Sequence, residues 1–220
     1  NPAYNFPEDW RSYANTPGHA LQFSRGTYRG RIYVAANHSA GNPQPHFTDY
    51  IAHGYYTDDH GKTFHLSESV PVPGSNESTA AELSDGRLML NARNQQGNKR
   101  VRIVALSNDG GATWASAGYD ERLPDPVCQG SLLNIGWKKK KAILAFSNDA
   151  DTVQRNHLTI RISNPDAAAW PEKIPVAAAA DTKIDYTAYS DLVLLKNKRI
   201  GILYEKDNYK EIVFESYKAR

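Results

Sequence analysis

Four histidines, His38, His46, His53 and His60, crowd one stretch of the chain and by type could ligate a metal. Their spacing suits no familiar zinc site, so no metal and no cofactor is expected. Cys128 is the single cysteine, which leaves no internal disulfide and no thiolate pair for a metal. The run Lys138 to Lys141 is the densest positive charge; with a net charge of only +2, it reads as a solvated hairpin tip and not as a nucleic-acid surface. The 13 tyrosines and 4 tryptophans are more informative, since such rings favour strands and can stack on sugars. A phenol titrates near pH ~10, so a tyrosine attacks as a nucleophile only with a base within hydrogen-bond reach.

Such side chains need a scaffold, and the pattern of the chain is that of strands. Short apolar or alternating runs recur at Arg31 to Ala35, Arg87 to Ala92, Arg102 to Leu106, Ala142 to Phe146, Leu158 to Ile162, Asp191 to Leu195, Ile200 to Tyr204 and Ile212 to Phe214. Turn chemistry separates them: Asp85-Gly86 lies between Glu82-Leu83 and Leu88-Met89-Leu90 as a hairpin turn, with glycine free to take positive φ. No long helical period and no membrane-spanning run is present. Ala177 to Ala180, close behind Pro175, reads as a loop. With 40% hydrophobic residues in 220, the chain can bury the core of an all-β domain or most of one, and residues 1–220 are taken as one domain.

Repeats decide the architecture. Thr57-Asp58-Asp59-His60-Gly61-Lys62-Thr63-Phe64 and Ser107-Asn108-Asp109-Gly110-Gly111-Ala112-Thr113-Trp114 agree at every defined offset: hydroxyl, x, Asp, x, Gly, x, Thr, aromatic. They start 50 residues apart, the length of one four-stranded propeller blade. A degenerate third copy begins 56 residues later, with Ser163 and Trp170 at the outer offsets and Pro165 and Ala167 in place of Asp and Gly. The octapeptide makes sense as a tight turn in which Asp accepts amide hydrogen bonds, Gly takes positive φ and the aromatic folds into the blade core. It resembles the Asp-box (BNR) repeat of sialidases and related propellers. These Asp residues are given a structural role.

Two further segments resemble the sialidase family in particular. Asn76 to Arg93 is similar to the stretch that brings a catalytic Glu and an arginine together; the resemblance assigns Glu77 as the base and Arg93, sixteen residues on, as one of three arginines that bind the substrate carboxylate. Glu82 is set aside. Ala188-Tyr189-Ser190-Asp191-Leu192 and Ile200 to Glu205 resemble the nucleophile strand and its successor, which implies Tyr189 as nucleophile and Glu205 as a carboxylate that orients an arginine. Asn156 to Ser163 resembles the strand entering the third Asp-box and implies Arg161 as a second cluster arginine, 28 residues before Tyr189. His19, in a segment similar to the preceding blade, is read as a solvated loop residue. Asn37-His38-Ser39 and Asn76-Glu77-Ser78 match the glycosylation sequon, and the second is discounted because it adjoins Glu77.

The family chemistry is coherent. Sialic acid carries a carboxylate at its anomeric carbon, so a neutral phenol approaches where a carboxylate nucleophile would be repelled; glycosidases with a tyrosine nucleophile are a recognised departure from the two-carboxylate scheme. The implied function is an exo-α-sialidase acting with retention on terminal sialic acid of glycans and glycoproteins, with a non-catalytic sialoglycan-binding or purely structural Asp-box propeller as the alternative. Family propellers have six blades, of which this chain would supply roughly the last four. Neither the Arg-Ile-Pro-type arginine nor the Asp acid/base of the first blade is found: Arg11 lies in an unrelated context and Asp49 comes too late. The start, Asn1-Pro2-Ala3-Tyr4, lacks Met. The expectation is therefore that an N-terminal segment of the same protein, in the same chain or as a separate one, completes the ring, and that this chain alone is inactive. A secreted, periplasmic or cell-surface location is expected.

Overall fold

The computed structural model describes residues 10–176 and 186–218, which place the Ala177 to Ala180 segment outside the described residues. Among the described residues, sixteen strands form four antiparallel sheets in chain order. The first holds β1 (Trp10–Asn15), β2 (Leu21–Gln22), β3 (Ile32–Ala40), β4 (Tyr50–Thr57) and β5 (His65–Leu66). The second is β6 (Ser75–Glu82), β7 (Leu88–Asn94), β8 (Val101–Ser107) and β9 (Ser116–Pro124). The third is β10 (Ser131–Lys138), β11 (Lys141–Asp149), β12 (Leu158–Ile162) and β13 (Glu172–Pro175); the fourth is β14 (Thr187–Leu194), β15 (Arg199–Lys206) and β16 (Glu211–Lys218). The last three sheets are meanders joined by short connections, while in the first both β1 and β2 pair with β3; helix is confined to single 3₁₀ turns among the described residues. This is a four-blade propeller arrangement, all-β as the strand pattern predicts.

The Asp-box turns bridge the third and fourth strands of the first two blades. Asp59 Oδ1 accepts from the amides of Lys62 and Thr63, each at 2.9 Å, while Thr63 Oγ1 donates to Oδ2 at 2.7 Å. Asp109 repeats this on Ala112 and Thr113, at 3.0 and 2.9 Å, with Thr113 Oγ1 at 2.6 Å. The leading hydroxyls, Thr57 and Ser107, accept from the amides of Gly61 and Gly111 at 2.8 Å. Those glycines sit at φ +86° and +94°, a region closed to most L residues. Arg31 then ties the two turns together, reaching Asp58 with Nε at 2.8 Å and the carbonyl of Gly110 with Nη1 at 3.1 Å.

The aromatic that ends each box behaves less uniformly than expected. Trp170 is buried and packs 6.1 Å from Phe146, and Trp114 lies half-buried with Nε1 donating to the Glu68 carbonyl at 2.8 Å. Phe64, however, is 43% exposed and meets only the edge of Tyr55. The reason is local: the strand that follows it, β5, is two residues long and brings little of the chain over it. In the degenerate third copy, Asp166 is redirected between blades, accepting from Ser84 and Ala142 amides, both at 3.1 Å, and from Arg87 at 3.2 Å.

The lysine run forms the β10–β11 tip as predicted, with Lys139 and Lys140 both at positive φ. Three buried clusters fill the interior: around Tyr33, Leu88 and Ile103; around Leu83, Leu123 and Phe146; and around Ile160, Leu192 and Ile202. The first strands β6, β10 and β14 of successive blades run side by side. Chain direction alternates along each meander, so these strands start at the end of the fold where β7, β11 and β15 finish.

Candidate active site

Glu77 and Tyr189 lie at the same end of the fold, near the starts of β6 and β14, with β10 between them. Each sits where strand register breaks. The β6–β7 pairing shifts between Ser75 and Ser78, and the β14–β15 pairing between Thr187 and Ser190. Such irregularities re-aim side chains out of the regular alternation. The result is direct contact across two blades: Tyr189 Oη donates to Glu77 Oε1. Arg93, near the end of β7, reaches Glu77 Oε2 with Nη1 at 2.7 Å and Tyr189 Oη at 3.4 Å. Gln129 supports the bulge, donating to the Ser190 carbonyl at 3.0 Å and accepting from the Ser190 amide at 2.9 Å. Glu205, on β15, accepts from the Tyr189 amide at 3.0 Å.

The electrostatics suit a neutral phenol. Burial, followed by the hydrogen bond and negative charge of Glu77, raises the Tyr189 pKa well above the ordinary phenol value, with Arg93 pulling the other way. Tyr189 therefore rests protonated, its proton already directed at a carboxylate.

A family model for a BNR repeat-like domain matches residues 1–202. This chain belongs to the BNR repeat-like domain family. The relatives it resembles are sialidases: one from Micromonospora viridifaciens is 33% identical over 204 residues, covering 89% of this chain and 29% of that protein. Sialidase-2 of Rattus norvegicus is 29% identical, covering 94% of this chain and 56% of that protein. Among solved structures, Hadza microbial sialidase Hz136 superposes with a TM-score of 0.77 at 26% identity, covering 96% of this chain and 38% of that one. The Ruminococcus gnavus intramolecular trans-sialidase shares the fold, with a TM-score of 0.75 at 21% identity over 97% of this chain and 45% of that one. The chain thus spans between about a third and about a half of the length of these relatives.

Within this BNR chain, Arg161 stands apart from the Glu77–Arg93–Tyr189 cluster. Arg161 is in the middle of β12, a strand buried along its whole length, and is itself only 2% exposed. Its Nη1 donates to Asn148 Oδ1 at 2.7 Å, and burial pulls its pKa below the usual guanidinium value, with Asp125 opposing. Arg155 stands beside the site instead. It lies in the loop before β12, with its guanidinium carbon 6.0 Å from the Tyr189 ring centroid, Nη1 donating to Tyr209 Oη at 2.8 Å and Nη2 to the Val127 carbonyl at 3.5 Å. Arg155 precedes β12 near the Glu77–Tyr189 end of the fold, whereas Arg161 lies within the strand.

Other expectations resolve as follows. The contact the structure gives Glu205 is to the Tyr189 backbone, not to an arginine among the described residues. Glu82 lies at the far end of β6, where the amides of Ser24 and Arg25 and the Ser24 hydroxyl occupy its carboxylate. His19 is not merely solvated: its Nδ1 lies 2.7 Å from Asp191 Oδ1, which also accepts from Ser131 at 2.8 Å. Arg11 and Asp49 pair with each other. His38 and His53 face each other at 3.0 Å under Trp10, and among the described residues no three His, Cys, Asp or Glu side chains converge as a metal set. No helix among the described residues is long and apolar enough to cross a membrane.

Asp149 closes β11 behind Thr187, fully buried, with Oδ1 accepting from Thr187 Oγ1 at 2.6 Å and Oδ2 without a partner. Burial pushes its pKa up to about 7, and Asp125 adds to the rise. The folded state therefore keeps a proton that the unfolded chain releases above pH ~4, so stability falls between about pH 4 and pH 7, by at most about 1.4 kcal/mol per pH unit. Asp149→Asn should melt above the unsubstituted protein at pH 8, the margin shrinking to nothing near pH 4. A margin independent of pH in thermal scans would contradict the assignment.

Proposed function

We propose that this chain carries the nucleophile and base of an exo-α-sialidase that removes terminal sialic acid from glycans with retention of configuration. The observation that carries the reading is the hydrogen bond from Tyr189 Oη to Glu77 Oε1. A binding or purely structural propeller would have no use for a phenol aimed at a half-buried carboxylate, whereas a nucleophile requires its base within hydrogen-bond reach.

In this reading Arg93 and Arg155 receive the substrate carboxylate, which sets the anomeric carbon over Tyr189. Arginine suits the task because it stays charged and offers paired N–H donors. As Oη bonds to the anomeric carbon, its proton passes to Glu77 and the bond to the leaving oxygen breaks. Because the phenol pKa is raised, proton loss accompanies attack and does not precede it. Water then cleaves the tyrosyl–sugar bond and gives up a proton to the group that earlier protonated the leaving oxygen, Glu77 returns its proton to Tyr189, and two inversions leave configuration unchanged. The proton donor to the leaving group and a third arginine are assigned to a preceding segment of the same protein, which would complete a six-bladed ring.

The test is incubation of the full-length protein with an aryl α-sialoside while the anomeric proton signals are followed by NMR. The reading expects α-sialic acid as the first product. No turnover, or a β-anomer first, would remove it.

A further inference from the structure

The connection between β15 and β16 runs through Asp207, Asn208 and Tyr209, with φ of 48°, 52° and 65°. Three consecutive non-glycine residues in the left-handed region are unusual. Asp and Asn tolerate it, but a bulky aromatic does so at a cost of about 1–2 kcal/mol, and such strain persists only where the surroundings enforce it. The conformation turns the Tyr209 side chain back over the site end of the fold, where its hydroxyl meets Arg155 Nη1 at 2.8 Å. Tyr186, three residues before the nucleophile, donates its own hydroxyl to Tyr209 Oη at 2.9 Å and packs edge-on against it, with ring centroids 5.4 Å apart. The second acceptor of Arg155 is held in the same fashion: Val127, whose carbonyl faces Nη2, has φ 69°, an outlier for a β-branched residue.

Among the described residues, the partners of this guanidinium are uncharged: the phenol oxygens of Tyr209 and Tyr186 and the peptide carbonyl of Val127. Arg93 differs, because Glu77 already pairs with it. The neutral acceptors around Arg155 fix the direction of its guanidinium, and none of them carries a charge that would cancel its own. We propose that Tyr209, backed by Tyr186, is a positioning residue that holds Arg155 rigidly beside Tyr189 as an anion clamp without neutralising it. The inference rests on the proposed carboxylate-binding role of Arg155 and adds the element that orients it. Preorganised donors of this kind gain ligand affinity by avoiding the entropy of ordering a long side chain on binding.

The test compares Tyr209→Phe, Tyr186→Phe and unsubstituted full-length protein. Tyr209→Phe removes the acceptor and keeps the ring. With an aryl sialoside it should raise KM about tenfold and leave kcat within about twofold, the size expected for one charge-assisted hydrogen bond. Tyr186→Phe, which removes the hydroxyl that backs Tyr209 and a weaker contact to the cation, should give the same split at about threefold. In parallel, Kd for N-acetylneuraminate should weaken about tenfold in Tyr209→Phe while Kd for its methyl ester, which lacks the charge, stays unchanged. An active protein whose Tyr209→Phe variant keeps its KM overturns the positioning role alone, and equal weakening for acid and ester reduces Tyr209 to a packing residue. An inactive full-length protein that does not bind the acid sinks the sialidase reading and the clamp with it.

Discussion

Tyr189→Phe should lower kcat for an aryl sialoside by at least about 10³-fold in the full-length protein, with KM changed little. Removing the attacking atom of a covalent mechanism removes the route itself, and what remains is catalysis by binding and orientation. The substitution deletes one oxygen, one hydrogen bond to Glu77 and a weak contact from Arg93. It leaves the ring and the Tyr189 amide contact to Glu205 in place. The fold should survive, because the phenol is not part of any of the three buried clusters. It should even gain slightly in resistance to heat, since burial of a polar group is relieved. A variant that retained a tenth or more of the activity would assign attack to another group.

The second large effect separates two arginines six residues apart. Arg155→Ala should raise KM for a sialoside about 10²-fold, the loss expected when one partner of a desolvated charge pair is truncated. Arg161→Met should leave KM within about twofold, since the guanidinium it removes is enclosed by Asn148 and its neighbours and reaches no ligand. Its effect belongs to stability, where replacing a buried cation by an apolar chain of similar length is close to neutral or favourable. Melting curves and Michaelis constants for the two variants thus move in opposite senses. The reverse pattern, with KM lost at position 161, would restore Arg161 to the site.

Much of the scaffold was legible because turns carry their own chemistry. The two full octapeptides imply a defined set of side-chain to amide hydrogen bonds, and Asp59 and Asp109 make that set residue for residue. Apolar runs such as Leu158 to Ile162 coincide with strands because both faces are covered. Strand β6 escaped the same reading. Its residues, Ser75 to Glu82, are small or polar, yet most are buried because the first strands of neighbouring blades crowd together and leave room for little beyond Ala, Ser and Thr. Phe64 shows the converse: a motif predicts the turn but not how much of the next strand will cover its ring.

Resemblance grouped Glu77, Arg93 and Tyr189, and the structure brings these three side chains into contact. Spacing along the chain pointed to Arg161, but a loop can insert residues without moving the strand that follows, and the structure sets Arg155 closer to Tyr189. Position along the strand decides which residue faces a ligand, and Arg155 precedes β12 where Arg161 lies inside it. Gln129 and Tyr209 carried no signal at all, since their roles come from loops of different blades meeting across the end of the fold.

The central claim is that Tyr189 forms the covalent bond to the sugar. A fluorinated sialosyl fluoride, which slows hydrolysis of such an intermediate, can be mixed with the full-length protein and the adduct located by peptide mass spectrometry. The account predicts one added fluorosialosyl group, on the peptide containing Tyr189, absent in Tyr189→Phe. An adduct on Glu77 or Glu205, or rapid turnover with none formed, would contradict it.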